Sequence, residues 1–216
     1  MPEWSDEKDN TIYIGIDEAG RGCLAGPVFA GAVVWRRRPD NIETKLIRDS
    51  KTLSKRQRAV AREIVETHAD AWAVGTASVA DIDAHNILGA TMIAMHRAID
   101  KVITQQCYGE SHKIMLLVDG NRFEPYISPI TTEFVPHTCV TEGDSKWAMI
   151  AAASILAKTH KDEYMQGPEA HGRFPQYGWD HNAGYGTADH MRALNEHGPC
   201  ELHRTSFAPV AKASRF

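Results

Sequence analysis

The segment from residue 11 to residue 35 constrains the fold most, because two short apolar runs lie on either side of a glycine-rich loop. In the first run, TIYIGIDE, Ile12, Ile14 and Ile16 recur at every second position. This alternation of β-branched residues favours a strand with one buried face. The second run, residues 28–35, is also short and apolar, so the chain is predicted to begin with two strands joined by the loop.

The loop, GRGCLAGP, has glycines at positions 20, 22 and 26. This spacing is one residue wider than a dinucleotide-binding fingerprint, and a strand follows it where such a fingerprint needs a helix. A dinucleotide site is therefore excluded. The glycines still allow the backbone to approach a ligand closely, and Arg21 offers a planar fork for a phosphate or a carboxylate. An ordinary tight turn is the alternative interpretation.

The rest of the chain alternates helical and strand patterns. Ser54 and Gln57 form a capping box, which predicts that a helix begins there. Helices are predicted at 54–68, 81–103 and 145–165, and strands at 72–76, 114–118 and 132–140. Helices interleaved with strands predict an α/β fold.

Size and composition limit the number of domains. The chain has 216 residues, of which 43% are hydrophobic, which suits one sizeable core better than two full domains. From about residue 167 the sequence becomes rich in Gly, Pro, His and aromatic residues, without a convincing linker or a repeat. Residues 1–166 are therefore predicted to form the main body, with 167–216 as an extension packed on it within a single structural domain.

Charge and cysteine usage narrow the function classes. A net charge of -4 argues against a protein that binds nucleic acid by bulk attraction, so any such site must be locally basic. The cysteines lack CxxC spacing, which favours reduced thiols; they are Cys23, Cys107, Cys139 and Cys200. Because the first residues are polar and acidic and no long apolar run follows, we expect a cytoplasmic protein.

Four acidic residues lie at the ends of predicted elements. Asp17 and Glu18 end the first strand, Asp119 ends a later one, and Asp144 begins the last long helix. Carboxylates gathered at one sheet edge repel one another unless a cation neutralises them, and Mg2+ prefers such oxygen ligands. Adjacent strand residues point to opposite faces, so Asp17 and Glu18 can share a site only if the strand bulges or ends between them. Taken singly, each acid is an ordinary turn or cap residue.

Six motifs, in the same order and with similar separations, resemble the type 2 ribonuclease H family over residues 14 to 209. They are GIDEAGRGCLAGP, DSKTLS, LLVDG, GDSKWAMIAAASILAK, AGYGTADH and HRTSFAP. The resemblance implies an α/β ribonuclease H-like fold: a central mixed five-stranded sheet flanked by helices, with a C-terminal helical extension that contributes to substrate binding. It also implies an endonuclease that hydrolyses the RNA strand of RNA/DNA hybrids and incises 5′ of ribonucleotides embedded in duplex DNA.

The resemblance also assigns the four acidic residues. It implies that Asp17, Glu18, Asp119 and Asp144 are catalytic and bind Mg2+ or Mn2+. A two-metal-ion mechanism would leave 5′-phosphate and 3′-hydroxyl ends. The expected partners are RNA/DNA hybrids and DNA duplexes containing ribonucleotides, with no membrane partner and a monomer as the default state.

The same resemblance implies a set of substrate-binding residues. Gly20, Arg21 and Gly22 match the segment that reads the ribose 2′-hydroxyl, the group that distinguishes RNA from DNA. Tyr185 matches a tyrosine that packs against the sugar at an RNA-to-DNA junction, although core packing is the alternative role. Phosphate contacts are expected from Ser50, Lys51, Asn86, Ser154, Lys158, His203 and Arg204.

Two positions depart from the family pattern. Ala183 stands where Lys is common before the Gly-Tyr motif, and Lys161 replaces a commoner Arg after the ILAK segment. Both changes are expected to weaken phosphate contacts, and neither touches a carboxylate.

Two other functions compete with a nuclease. A binding module of the same fold would require a missing carboxylate or a spoiled loop, and all four carboxylates are present. A zinc enzyme would use some of the 11 histidines. Cys200 with His203, or His190 with His197, are its candidate ligands, but their spacing fits no closed zinc motif.

Overall fold

The computed structural model describes residues 2–4, 11–39, 44–105 and 113–213, so Cys107 lies outside the described residues. The strands in this part of the chain are β1 Thr11–Ala19, β2 Val28–Val34, β3 Ala71–Ala77, β4 Lys113–Asp119, β5 Tyr126–Ile127, β6 Phe134–Val135 and β7 His137–Val140. The α-helices are α1 Lys55–His68, α2 Val79–Gln105, α3 Gly143–Lys146, α4 Ala148–Gln166, α5 Trp179–Asn182, α6 Ala188–His197 and α7 Ala208–Ala213. Short 3-10 turns cover Thr44–Leu46, Ser50–Thr52 and Pro175–Tyr177.

Five strands form one mixed sheet in the order β3-β2-β1-β4-β7. Strand β2 pairs antiparallel with β1 and β3, whereas β4 pairs parallel with β1 and β7. The predicted mixed five-stranded sheet is confirmed, while β5 and β6 pair separately. Because β1 and β4 run parallel, their C-terminal ends lie at the same edge of the sheet.

Helix α2 covers one face of the sheet and α4 covers the other. The isoleucines of β1 are buried in one cluster with residues of α2. On the opposite face, Gly15 and Gly31 allow α4 to pack directly on the strand backbone. A Cβ atom on Gly31 would lie 2.4 Å from the carbonyl oxygen of Ala153, so only glycine permits this approach. The alanine-rich helix thereby brings Ser154 beside the end of β1.

The predicted start of the first helix is confirmed at atomic detail. The hydroxyl of Ser54 accepts a hydrogen bond from the backbone N–H of Gln57, and the Gln57 side chain accepts one from the backbone N–H of Ser54. This reciprocal pair satisfies two donors that the first turn of a helix leaves free. Helix α1 follows it without interruption to His68.

Two helices that were predicted as continuous are interrupted. In α2, Asn86 has a φ of 58° and a ψ of 171°, and its side-chain oxygen accepts hydrogen bonds from the backbone N–H groups of Leu88 and Gly89. The asparagine thus caps the second half of α2 and kinks the helix. The helix predicted at 145–165 is likewise divided into α3 and α4, because Trp147 has an extended backbone.

The strand predicted at 132–140 is also divided. Pro136 lies between β6 and β7 and has no backbone N–H for a ladder. Its carbonyl oxygen still accepts a hydrogen bond from the backbone N–H of Leu116, which starts the pairing of β4 with β7. Only the second part of the predicted strand therefore belongs to the main sheet.

The C-terminal extension is hydrogen-bonded to the glycine loop between β1 and β2. The backbone N–H of Leu24 donates to the carbonyl of Gly184 at 2.8 Å, and that of Gly26 donates to the carbonyl of Leu202 at 2.8 Å. A Cβ atom on Gly184 would lie 2.7 Å from the Ala25 carbonyl oxygen, and the φ of Gly184 is 85°. The glycine is therefore required for the close contact that holds the two loops together.

None of the helices in the described part of the chain combines the length and apolar character needed to span a membrane.

Candidate active site

Three acidic residues meet where β1 and β4 end and α3 begins. Asp17 lies near the end of β1, Asp119 ends β4, and Asp144 lies in the first turn of α3. A carboxylate oxygen of Asp119 accepts a hydrogen bond from the backbone N–H of Gly143 at 2.7 Å. This bond fixes the turn that carries Asp144 against the end of β4. The parallel pairing of β1 and β4 thus brings together acids that are about 100 residues apart in sequence.

Asp17 is the most buried of these acids, with 5% of its surface exposed. Its carboxylate accepts hydrogen bonds from the backbone N–H of Glu18 and from the hydroxyl of Ser154. Burial raises the pKa of Asp17 well above its ordinary value, and the negative charges of Glu18 and Asp119 raise it further. The hydrogen bonds only partly offset these effects, so the ionised carboxylate is an electrostatically costly group at this position.

Glu18 shares the strand end with Asp17 without a bulge between them. The pairing of β1 with β2 continues through Asp17, Glu18 and Ala19 without an inserted residue. On the other side, the pairing with β4 ends at Ile16, before the two acids. Glu18 forms an ion pair with Arg21, its Oε1 lying 3.0 Å from a guanidinium nitrogen. The end of the β4 pairing, rather than a bulge, therefore opens this edge of the strand.

Asp144 is buried beside two residues of the 3-10 turn around Ser50–Thr52. Its Oδ2 lies 3.7 Å from the Nζ of Lys51, and the side chain of Asp49 lies within hydrogen-bonding range. Burial raises the pKa of Asp144, and the charge of Asp49 raises it further, while that of Lys51 opposes both. Sequence reasoning did not single out Asp49, although it begins the DSKTLS motif. Its position directly before Ser50 and Lys51 was the signal that could have found it.

The acids do not form a closed metal cage in this conformation. Within the described ranges, no set of three or more His, Cys, Asp or Glu side chains is arranged to hold a metal ion. Side-chain cations compensate two of the carboxylates, since Arg21 pairs with Glu18 and Lys51 approaches Asp144. Both cations are exposed, with side-chain exposures of 51% and 79%.

Ser50 and Ser154 position the site from within. Both are buried, and their hydroxyl oxygens are 3.0 Å apart in a hydrogen bond. Ser154 also bonds Asp17, so the two serines link the Ser50–Thr52 turn to the strand end. Both hydroxyls are engaged within the protein in this structure, and a contact of these serines with substrate phosphates stays a prediction.

His203 and Arg204, which were also predicted to contact phosphates, are buried, and that role stays a prediction. Arg204 is completely buried and donates hydrogen bonds to three carbonyl oxygens, at 2.9 Å for Gly26, 2.9 Å for Arg21 and 3.3 Å for Pro27. Burial lowers the pKa of Arg204 to about 10, which keeps the guanidinium charged at neutral pH. Its function in the fold is to hold the glycine loop in shape.

His203 belongs to a chain of hydrogen bonds that ends at Tyr185. Its Nδ1 accepts from the backbone N–H of Cys200 at 3.0 Å, so its Nε2 carries the proton and donates to Nε2 of His190 at 3.1 Å. The Nδ1 of His190 then donates to the carbonyl oxygen of Tyr185 at 2.9 Å, and Trp179 donates to the same Nε2 of His190. Burial lowers the pKa of His190 and that of His203, the latter to about 4. Both rings are therefore neutral near pH 7, and their nitrogens are already occupied.

Most of the other predicted substrate-binding residues are at least partly exposed, whereas Gly20 is buried. Lys51 and Asn86 are exposed, and Lys158 is partly exposed beside Asp162. The Tyr185 ring is accessible with its hydroxyl toward Cys23, while burial raises its pKa to about 12. Gly20 has a φ of 95°, which glycine adopts without strain, and Gly22 is exposed.

The sheet order, the helices on both faces and the acids at one edge define a protein of the ribonuclease H-like fold. Ribonuclease H2 from Pyrococcus horikoshii has a similar structure, with a TM-score of 0.69 at 21% identity, covering 94% of this chain and 96% of that one. A second similar structure is that of Bst-RNase HIII in complex with Mn2+, with a TM-score of 0.67 at 18% identity, covering 97% of this chain and 72% of that one. At such low identity these likenesses concern the fold alone.

Sequence comparison identifies the family. The family model of ribonuclease HII matches residues 14–210. Ribonuclease HII of Bacteroides fragilis is 47% identical over 204 residues, which cover 94% of this chain and 92% of the relative. The chain belongs to the ribonuclease HII family, whose members are nucleases of the hydrolase class and act as ribonucleases H on RNA/DNA hybrids. The resemblance noted in the sequence is thereby confirmed.

Proposed function

We propose that this protein hydrolyses the RNA strand of RNA/DNA hybrids and incises DNA duplexes on the 5′ side of embedded ribonucleotides. The observation that carries the proposal is the convergence of Asp17, Asp119 and Asp144, with Glu18 beside them, at one sheet edge. Water would attack phosphorus and the 3′-oxygen of the nucleotide on the 5′ side of the scissile bond would leave, which gives 5′-phosphate and 3′-hydroxyl ends.

Asp17, Glu18, Asp119 and Asp144 are proposed to hold Mg2+ or Mn2+. The donor set fits these ions, because hard divalent cations prefer carboxylate oxygens. The electrostatics fit as well, since like charges and burial raise the pKa of Asp17 and a cation would relieve that repulsion. When bound, two such ions would activate the attacking water and stabilise the leaving oxygen.

Metal binding would require two of the acids to leave their present side-chain partners. Glu18 would turn away from Arg21, and Asp144 would turn away from Lys51. Both cations are exposed and flexible, so these pairs are worth little in water. Released from the carboxylates, Arg21 and Lys51 would be free to neutralise phosphates of the substrate. Asp17 would stay in place, because Ser154 and the backbone of Glu18 fix its carboxylate.

The glycine loop and Tyr185 are proposed to recognise the RNA-to-DNA junction. Gly20 and Gly22 present backbone groups that can approach a ribose 2′-hydroxyl, which DNA lacks. The exposed ring of Tyr185 offers an apolar face for the following deoxyribose. Because Tyr185 lies in residues 167–216, the extension would complete the substrate site of the main body. Asn86 and Lys158 would contact the phosphates further along.

The competing functions have less support. A binding module without activity would gain nothing from four neighbouring carboxylates, because the repulsion between their charges destabilises the fold. A zinc site at Cys200 and His203 would have to displace existing hydrogen bonds, since Nδ1 of His203 accepts from Cys200 and its Nε2 is bonded to His190. We therefore propose no role for zinc.

The test is cleavage of two labelled substrates, an RNA/DNA hybrid and a DNA duplex with one ribonucleotide. Chelator-treated enzyme would be supplied with Mg2+, Mn2+ or Zn2+, and the ends of the products would be mapped. We expect Mg2+ or Mn2+ to restore cleavage of both substrates and Zn2+ to fail, with Asp144→Asn inactive at limiting metal. Full activity of Asp144→Asn under those conditions would refute the proposed site.

A further inference from the structure

Lys161 stands where Arg is commoner in the family, and from the sequence this change was expected to weaken a phosphate contact. In the structure, Lys161 lies where α4 meets the glycine loop and the loop that carries Tyr185. It belongs to α4, and only 1% of its side chain is exposed. Its Nζ donates a hydrogen bond to the carbonyl oxygen of Ala183 at 3.0 Å and lies 4.4 Å from the centre of the Tyr185 ring. A phosphate in solution cannot reach this amine, so its role lies inside the protein.

The stem of Lys161 also contacts the glycine loop. A Cβ atom on Gly20 would lie 3.3 Å from Cδ of Lys161, so the lysine stem covers that glycine directly. Nζ is 3.9 Å from the sulfur of Cys23, whose thiol in turn lies 3.6 Å from the carbonyl oxygen of Ala183. One side chain therefore touches both the loop proposed to read the 2′-hydroxyl and the loop that carries Tyr185.

The two departures from the family pattern are thus in direct contact. Ala183 adopts a left-handed backbone, with a φ of 47°, as it ends α5. Its carbonyl is the acceptor for Lys161 and lies two residues before Tyr185. The backbone that Lys161 fixes is therefore the backbone that sets the direction of the Tyr185 ring.

The charge of Lys161 is compensated within the same cluster. Oδ1 of Asp162 lies 2.8 Å from Nζ of Lys161 and 2.9 Å from Nζ of Lys158. Burial alone would raise the pKa of Asp162, but the two lysines hold it below its ordinary value. An ammonium group attracts the face of an aromatic ring. Because Asp162 balances the charge of Lys161, the ammonium can stay buried beside the Tyr185 ring.

We infer that Lys161 is a positioning residue for Tyr185 and determines how well the enzyme cuts at a single ribonucleotide. The inference rests on the proposed junction recognition by Tyr185. If Tyr185 seats the deoxyribose, a shifted ring displaces the scissile phosphate relative to the acids. In a long hybrid the sugar that follows the ribonucleotide is a ribose rather than a deoxyribose, so its cleavage is expected to depend less on that seat.

The experiment compares wild type with Lys161→Met, which keeps the length of the stem and removes the ammonium. With a DNA duplex containing one ribonucleotide, we expect kcat to fall about 10-fold or more, since small displacements of a reacting group are costly. KM should change less than about 2-fold, because the phosphate contacts are intact. With a long hybrid, both constants should stay within about 2-fold of wild type. Equal losses on the two substrates would overturn the inference.

A double-mutant cycle separates positioning from general damage. In a Tyr185→Ala background, Lys161→Met should add less than about 2-fold, because the ring on which it acts is gone. An undiminished effect in that background would overturn the inference. Should Lys161→Met fail to fold, Lys161→Gln removes the charge but keeps a donor for the Ala183 carbonyl, and it is expected to show a smaller loss that is still confined to the single-ribonucleotide substrate.

The matched control is Lys158→Met on the same helix. The Nζ of Lys158 is farther from the Tyr185 ring, at 5.3 Å, and is partly exposed. Because Lys158 is a proposed phosphate contact, its loss should weaken the cleavage of both substrates alike. If the wild type cuts neither substrate, that result contradicts the proposed function instead. A wild type that cuts both while Lys161→Met matches it would contradict only the role of Lys161.

Discussion

Two regions of the molecule bury titratable groups, and they handle the charge in opposite ways. The carboxylate edge consists of Asp17, Glu18, Asp119 and Asp144 at the ends of β1 and β4 and the start of α3. There, burial and neighbouring negative charges raise the pKa of Asp17, and ionised groups face one another. The imidazole cluster consists of His190, His203 and their partners Trp179, Tyr177 and Cys200. Here burial lowers the pKa of each ring, and both rings are neutral.

The difference separates the region that is proposed to be reactive from one that stabilises the fold. In the imidazole cluster, each ring nitrogen has a hydrogen-bond partner, and the aromatic rings of Tyr177 and Trp179 pack around the pair. At the carboxylate edge, compensation comes from the exposed side chains of Arg21 and Lys51. Buried acids whose pKa is strongly shifted by burial and like charges are typical of functional sites, whereas satisfied neutral groups stabilise a fold.

The largest expected effect is at the carboxylate edge. Asp17→Asn should reduce cleavage about 1000-fold or more, because a bound metal contributes several kcal/mol to the transition state. The same change removes a buried, repelled charge, so the free energy of unfolding without divalent cation should rise by about 1 kcal/mol. Activity assays and denaturant unfolding measure the two effects. The control is Glu133→Gln at an exposed position, which should change neither quantity. If Asp17→Asn lost both activity and stability, the Asp17 carboxylate would stabilise the fold, which contradicts the contrast between the carboxylate edge and the imidazole cluster.

The next effect belongs to the imidazole cluster. His203→Ala should reduce the free energy of unfolding at pH 7.5 by about 3 kcal/mol, because it leaves a cavity and removes the partners of His190 and Cys200. Denaturant unfolding measures this loss. His181→Ala, at a side chain that is 88% exposed, should stay within about 0.5 kcal/mol of wild type. An unchanged stability of His203→Ala would show that the cluster is not structural.

A smaller effect follows from pH. The pKa of His203 is lowered to about 4, whereas an unfolded histidine has an ordinary value near 6.5, so the unfolded state binds the extra proton between these values. The stability that neutral His203 provides is complete above about pH 6.5 and is lost as the pH falls toward about 4. The difference in stability between wild type and His203→Ala should therefore shrink by about 2 kcal/mol over that interval. A difference that stays constant with pH would contradict the assigned protonation.

The smallest effect is stabilisation by metal. At a tenfold excess over its Kd, Mn2+ should stabilise the wild type by about 1.4 kcal/mol. For a chain of this size, that raises Tm by about 3 to 6 °C. Asp144→Asn should lose the shift, whereas His181→Ala should keep it. A shift that survives in Asp144→Asn would place the metal elsewhere.

Local patterns in the sequence predicted most of the fold. The alternation around Ile14, the capping box at Ser54 and the apolar run of β4 each depend on neighbouring residues, and each was confirmed. The breaks at Asn86, Pro136 and Trp147 were not predicted. A single asparagine or tryptophan does not interrupt the periodicity of a helix, and the break depends on the tertiary contacts around it.

The candidate site was predictable where backbone position decides the outcome. Asp17 and Asp119 could be placed together because each ends a strand of one sheet. The burial of Ser154, His203 and Arg204 could not be predicted, because a matching motif does not reveal whether a polar side chain faces solvent or the protein interior. The burial of Ser154 depends on how α4 packs against the sheet, and that of Arg204 depends on how the extension packs on the glycine loop; no local pattern encodes either.

We propose that the carboxylate edge acts through bound cations and that the imidazole cluster does not. The most direct test is the Mn2+ dependence of single-turnover cleavage of a duplex with one ribonucleotide, measured for wild type, Asp119→Asn and His203→Ala. We predict that Asp119→Asn needs at least about tenfold more Mn2+ for half-maximal rate or is inactive, while folded His203→Ala keeps the wild-type requirement. An unchanged Mn2+ requirement in Asp119→Asn, or a shifted one in His203→Ala, would contradict the claim.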